Sequence, residues 1–156
     1  MSLRDYIAEL GGADPLIQKS EKQQAVARTL CPETIADFFM SESLKEDGQR
    51  IFESLWFVSP KYLLECKRIL SEVFNIDIAC TYKSIEHLEV TYVDFDPLQP
   101  QTTTDHSRLS AEATIGMVLC TLKASGSNCT RLWRIIERNM RPNLVELVEI
   151  PARVRR

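Results

Sequence analysis

Asp94 and Asp96, with Asp105 and His106 a short way further on, are the only local set of hard oxygen and nitrogen donors in this chain. Alternate residues of a strand share a face, so both carboxylates could touch one divalent cation. Acidic loop starts are common, however, and the expected reading is a solvated loop with no metal. The two histidines, His87 at a strand entrance and His106 in a polar loop, are read as surface or structural. No familiar motif gives a serine or cysteine nucleophile an oriented base. Gly11-Gly12 lacks the lysine and the preceding strand of a phosphate loop. Catalysis is therefore poorly supported, and no cofactor is expected.

The five cysteines are an odd, scattered set without a C-x-x-C pair or a Cys/His cluster. Cys66, Cys80 and Cys120 sit inside apolar runs, where a thiol behaves as a small buried hydrophobe. That pattern fits a reducing compartment, and a cytoplasmic location is expected. The stretch Met1-Ser2-Leu3-Arg4-Asp5 lacks the apolar core of a signal peptide, and no run approaches the roughly 18 apolar residues that span a bilayer. A net charge of −3 over 156 residues disfavours bulk attraction to nucleic acid or anionic membrane, so any such partner must be met by a local patch.

One such patch is a stripe of arginines. Arg131, Arg134, Arg138 and Arg141 recur three, four and three residues apart, opposite Leu132, Trp133, Ile135, Ile136 and Met140. This spacing predicts a strongly amphipathic helix over Cys129 to Met140, capped by Ser127 or Asn128 and stopped by Pro142. Its arginine side is a plain wet face, a surface for an acidic partner or, with the arginine tail of Arg153, Arg155 and Arg156, a surface for phosphates.

The elements that would position these groups are organised around Ser54 to Arg68. Leu55-Trp56-Phe57-Val58 is dense enough to be covered on both faces, Ser59-Pro60-Lys61 is a turn, and Tyr62, Leu64 and Cys66 alternate with Lys61, Glu65 and Lys67. A β-hairpin follows, its second strand dry on one face and wet on the other. Upstream, Leu3, Tyr6, Ile7 and Leu10 predict a short helix, Asp14-Pro15 opens a polar one to Leu30, and Ile35, Phe38, Phe39 and Leu44 form an apolar helical stripe from Glu33.

Downstream, strands are expected over about Asn75 to Tyr82 and from Leu88 to Val93, followed by a long loop from Asp94 to Ser110. Such loops are either functional or poorly ordered. The run Ala113 to Leu122 reads as one inner strand with Gly116 as a bulge or a close approach, and Lys123 to Ser127 as a turn centred on Gly126. Leu144 to Ile150 is either a short helix or a strand.

Several strands followed by one amphipathic helix with a tryptophan near its start resemble the pleckstrin-homology-like superfold, in particular its small bacterial and GRAM-like members. Leu55 to Leu64 is similar to that group's apolar strand, Thr/Ser-x-Lys corner and apolar strand. Thr81-Tyr82-Lys83-Ser84-Ile85 is similar to its tyrosine-x-x-isoleucine step. The resemblance covers roughly Arg50 to Met140. It implies a half-open antiparallel barrel plugged by the helix, and a binding role toward phosphoinositides, peptides or copies of itself. It also implies that Lys61, Lys67, Arg68 and Lys83 lie where phosphoinositide-binding members place their cations.

The expected architecture is thus α+β. An N-terminal helical extension (1–49) precedes a pleckstrin-homology-like partial barrel closed by its C-terminal helix (50–142), and a tail (143–156) follows. The expected function is a non-enzymatic binding or assembly module for a protein partner, including copies of itself. Two rivals are a small α+β enzyme or small-molecule binder with a pocket in the curved sheet, and recruitment to lipid head groups.

Overall fold

The computed structural model describes residues 1–30, 34–70 and 73–151, with side chains for all of these except 69, 70, 73–81, 83, 144 and 145. Cys31, the side chain of Cys80 and the arginine tail at 153–156 lie outside what is described. The protein is α+β, with two four-stranded, mostly antiparallel sheets that are not closed into a barrel. The chain divides into two compact units, 1–40 with 52–80 and 41–51 with 81–156.

The first unit opens with α1 (Leu3–Glu9) and α2 (Asp14–Leu30). The Ser2 hydroxyl caps α1 by accepting the Asp5 N–H at 3.1 Å. Gly11, at φ +89, then turns the chain out of the helix. Leu3, Tyr6 and Ile7 of α1 and Ile17 and Ala27 of α2 join Phe38, Met40, Leu55, Phe57, Leu64 and Cys66 in one buried core. The Met40 N–H donates to the Tyr6 hydroxyl at 2.9 Å, which fixes α1 to the strand that follows.

That strand, β1 (Asp37–Leu44), lies where a third helix is expected. Phe38, Phe39, Met40, Ser41 and Glu42 are all buried. A helix hides one stripe, whereas a run of adjacent buried residues requires a strand covered on both sides. β2 (Arg50–Val58), β3 (Tyr62–Leu70) and β4 (Val73–Thr81) complete the sheet in the order β1-β2-β3-β4. β2 and β3 form the expected hairpin, antiparallel from Val58 opposite Leu63 to Ser54 opposite Lys67.

The wet face expected for β3 is absent at its start, because Leu63 and Glu65 are buried alongside Leu64 and Cys66. Glu65 is tolerated there because the Ser54 hydroxyl donates to its carboxylate at 2.6 Å.

In the second unit a 3-10 turn (Tyr82–Ser84) leads to β5 (His87–Val93), β6 (Arg108–Ile115) and β7 (Val118–Ser125). The inner strand expected over Ala113 to Leu122 is instead a tight hairpin in which Ile115 pairs with Val118. Gly116, at φ +59, takes the first central position of its two-residue turn, a conformation that favours glycine. β7 also runs through most of the turn expected at Lys123 to Ser127, and only Gly126 bends the chain, at φ +56.

α3 (Asn128–Ile135) then packs on β6 and β7, continuing as a π-helical turn (Ile136–Met140) and a 3-10 turn (Arg141–Asn143). The regular helix is therefore shorter than expected, and the Ser127 side chain makes no capping bond. Trp133 is buried, its ring edge-on to Phe95 at 6.3 Å. β8 (Leu144–Glu149) settles the tail as a strand parallel to β5, giving the order β7-β6-β5-β8.

The loop 94–107 is built rather than loose. The Ser107 hydroxyl donates to the Asp94 carbonyl at 2.6 Å and accepts the Thr104 N–H at 2.9 Å. Thr130 of α3 donates its hydroxyl to the Pro100 carbonyl, and Phe95 is buried between Tyr92 and Trp133. Asp94 itself is held at φ +50, a left-handed conformation that Asp tolerates better than most residues.

Candidate functional site

Chemistry needs reacting groups to meet, and the described residues bring few together. His87 Nε2 lies 3.0 Å from Glu89 Oε1, both half-exposed at alternate positions of β5, and no serine or cysteine bonds to this pair. Cys66 and Cys129 are buried, and burial pushes each thiol up to about 12, so both are protonated at neutral pH. For Cys66 the neighbouring Glu65 charge pushes the same way.

Among the described residues no three His, Cys, Asp or Glu side chains gather as a metal site. Asp96 instead accepts the Leu98 N–H at 2.9 Å, a local turn bond.

The cations singled out by resemblance are spread out. Lys61 sits in the β2–β3 turn and Lys67 near the far end of β3, roughly 20 Å along the strand at about 3.4 Å per residue. Arg68 is next to Lys67 and therefore faces the other way, with Nη1 donating to the Phe52 carbonyl at 3.0 Å. The side chain of Lys83 lies outside the described residues. Of the arginine stripe, Arg131 is half-buried on α3 and Arg134, Arg138 and Arg141 are exposed. Arg141 lies 3.5 Å from Glu137, which interrupts the stripe with a negative charge.

Two surfaces that the sequence did not single out are more definite, and both belong to the second sheet. The first is the tip of the β6–β7 hairpin. Met117 is 103% exposed, Leu119 61% and Val118 48%, three consecutive apolar side chains at a turn. Nothing in the fold needs them there, because the turn is specified by Gly116. The run of apolar residues was visible in the sequence, but its outward aim was not.

The second is a groove of about 320 Å³ over β5, β6 and β7, lined by their residues 91–93, 108–110 and 123–125. The register aligns Thr91, Ser110 and Lys123 across its floor, with Val93, Arg108 and Ser125 in the next row. Residues 42–44 of β1 line one side and Ile150 lies on the lining as well.

The residues 41–44 are held by side chains that stand in for a strand neighbour. Ser41 Oγ accepts the Lys123 N–H at 2.9 Å, and Glu42 Oε1 accepts the Ser125 N–H at 3.2 Å and its hydroxyl at 2.5 Å. Together they satisfy β7 edge donors that would otherwise be open. The Glu42 side chain is fully buried, and Arg50 Nη1 lies 3.6 Å from its other oxygen.

No family model matches the chain, and no curated protein matches it by sequence. A solved structure titled "Apo structure of the activated truncation of Vav1" is similar over 81% of this chain and 34% of that one, at 10% identity and a TM-score of 0.38. This chain thus spans about a third of the length of that one, and a likeness so loose assigns neither family nor function.

Proposed function

We propose that this chain is a non-enzymatic binding module on a pleckstrin-homology-like scaffold, and that it engages a protein partner through the β6–β7 hairpin. The carrying observation is the exposure of Met117, Val118 and Leu119 at the tip of a two-residue turn. Large apolar side chains held in water at one point gain roughly 25 cal/mol per Å² when a partner covers them. Methionine suits such a contact because its flexible thioether adapts to irregular surfaces. The scaffold reading is supported by the order of strands followed by a closing helix that buries Trp133. That no described serine or cysteine bonds to His87, and that the thiols of Cys66 and Cys129 are protonated, favours binding over catalysis.

A photo-crosslinking residue at position 117 of the full chain, in its native cells, tests this. The expected result is a discrete protein adduct that disappears when Leu119→Ser is added. A residue at Leu98, also exposed but single, serves as control. An adduct of twice the chain mass would identify a second copy as the partner. Labelling at 117 no stronger than at 98, or labelling of lipid alone, would overturn the proposal.

A further inference from the structure

The groove on the second sheet carries charges that its own fold does not use. Arg108 and Lys123 are diagonal neighbours on one face of the β6–β7 ladder, where such positions lie roughly 7–8 Å apart. Neither has a carboxylate partner among the described residues. Arg108 Nη1 donates to the carbonyls of Asp105 and Ser107 at 2.7 and 2.8 Å, which orients the guanidinium and leaves the rest of its five-donor fork for another group. The one carboxylate on the lining, Glu42, is buried: its Oε1 accepts from Ser125, and its Oε2, which makes no hydrogen bond, lies 3.6 Å from Arg50 Nη1.

The groove therefore presents a positive field in a chain whose net charge is −3. Leu44, Val93 and Ile150 supply an apolar lining beside the cations. Its volume is at the lower end of the range that small-molecule sites occupy, and such sites pair a mostly apolar wall with a few fixed polar groups.

The shape is set before anything binds. Residues 41–44 are tied to β7 by Ser41 and Glu42, and Ile150 is tied to β5 by its N–H to the Tyr92 carbonyl at 2.8 Å. A ligand would not have to order these segments, which removes a principal cost of association.

We propose that this groove is a binding site for a small amphiphilic carboxylate, its anionic head between Arg108 and Lys123 and its apolar body along Leu44, Val93 and Ile150. A carboxylate suits the pair because guanidinium and ammonium bonds to it are charge-assisted, and an apolar body releases water from the three aliphatic side chains. The site is separate from the exposed hairpin tip, so it stands or falls independently of the partner reading.

Titration of the isotope-labelled full chain with decanoate, below its micelle concentration, tests this by amide chemical shifts. Saturable shifts are expected at 42–44, 91–93, 108–110, 123–125 and 150. Decanol, of the same length but uncharged, is expected to bind at least tenfold more weakly. Lys123→Gln, at an exposed position that leaves the sheet intact, should weaken decanoate about tenfold and leave decanol unchanged, and adding Arg108→Gln should weaken decanoate further. The proposal is overturned if decanoate and decanol behave alike, if Lys123→Gln changes nothing, if the shifts centre on 115–119, or if an acidic peptide saturates these residues where decanoate does not.

Discussion

The β2–β3 and β6–β7 hairpins are both apolar strand pairs joined by short corners, yet the fold uses them in opposite ways. In the first, Leu55 to Val58 and Leu63 to Cys66 are buried, and the corner is locked by Ser59, whose hydroxyl oxygen accepts the Tyr62 N–H at 2.8 Å. In the second, β6 and β7 bury Ala111, Ala113 and Leu122, while the tip sends Met117 and Leu119 into water. A hydrophobic run is therefore not evidence of core by itself; whether the sheet continues past it decides. The first hairpin is buried in its sheet, and the second leaves apolar surface in water at its tip.

The sharpest way to break this contrast is Trp56→Ala. Trp56 is fully buried, and its truncation should cost about 3–5 kcal/mol in urea unfolding. A loss below 1 kcal/mol would mean that the first hairpin is not the structural one.

Alkaline pH probes the same hairpin through Cys66. Its thiol is raised from 9.0 to about 12 by burial and by Glu65, so between these values the folded chain binds more protons than the unfolded one. The contribution is intact below pH 9 and is lost as pH rises toward about 12, by at most about 1.4 kcal/mol per pH unit. Cys129 adds a limb of the same sign, and Cys66→Ala should flatten the profile without abolishing it. A stability that does not fall above pH 9 would contradict the buried thiols.

Smaller effects distinguish the corners. Ser59→Ala removes the acceptor of the Tyr62 N–H and should cost about 1 kcal/mol by thermal unfolding. Gly116→Ala should cost a similar or slightly smaller amount, about 1 kcal/mol, entirely from backbone strain at φ +59, since nothing lies within 4 Å of the added carbon. Met117→Ser should change stability by less than about 0.5 kcal/mol while removing partner capture. If Met117→Ser destabilised the chain as much as Ser59→Ala, the tip would be structural and the two hairpins alike.

How far the sequence reaches is visible at particular residues. The Ser59-Pro60 corner and the half-buried β5 were legible because proline geometry and strict alternation are local properties. Glu33 to Leu44 reads as helix because Ile35, Phe38 and Phe39 fit a helical stripe as well as a strand, and only burial on both sides decides between them. Gly116 inside an apolar run reads as a bulge or a close approach, because its turn shows only once Ile115 pairs with Val118. The loop 94–107 gave no sign of order in its composition, since its anchors are Phe95 against Trp133 and Thr130 against Pro100, remote in the chain.

The candidate surfaces follow the same rule. The arginine spacing and the scattered thiols could be read directly. The groove could not, because residues 42–44, 91–93, 108–110 and 123–125 meet only through the register of β5, β6 and β7 and the side-chain bonds of Ser41 and Glu42.

By itself the sequence determined the α+β class, the corner at Ser59-Pro60, the closing helix with Trp133 and the absence of recognisable catalytic motifs, all of which rest on neighbours within a few residues. Tertiary structure alone decided that β1 is a strand, that Met117 faces water and that Arg108 and Lys123 share one groove. Those outcomes depend on which side of a strand is covered, and coverage comes from segments that the local pattern cannot see.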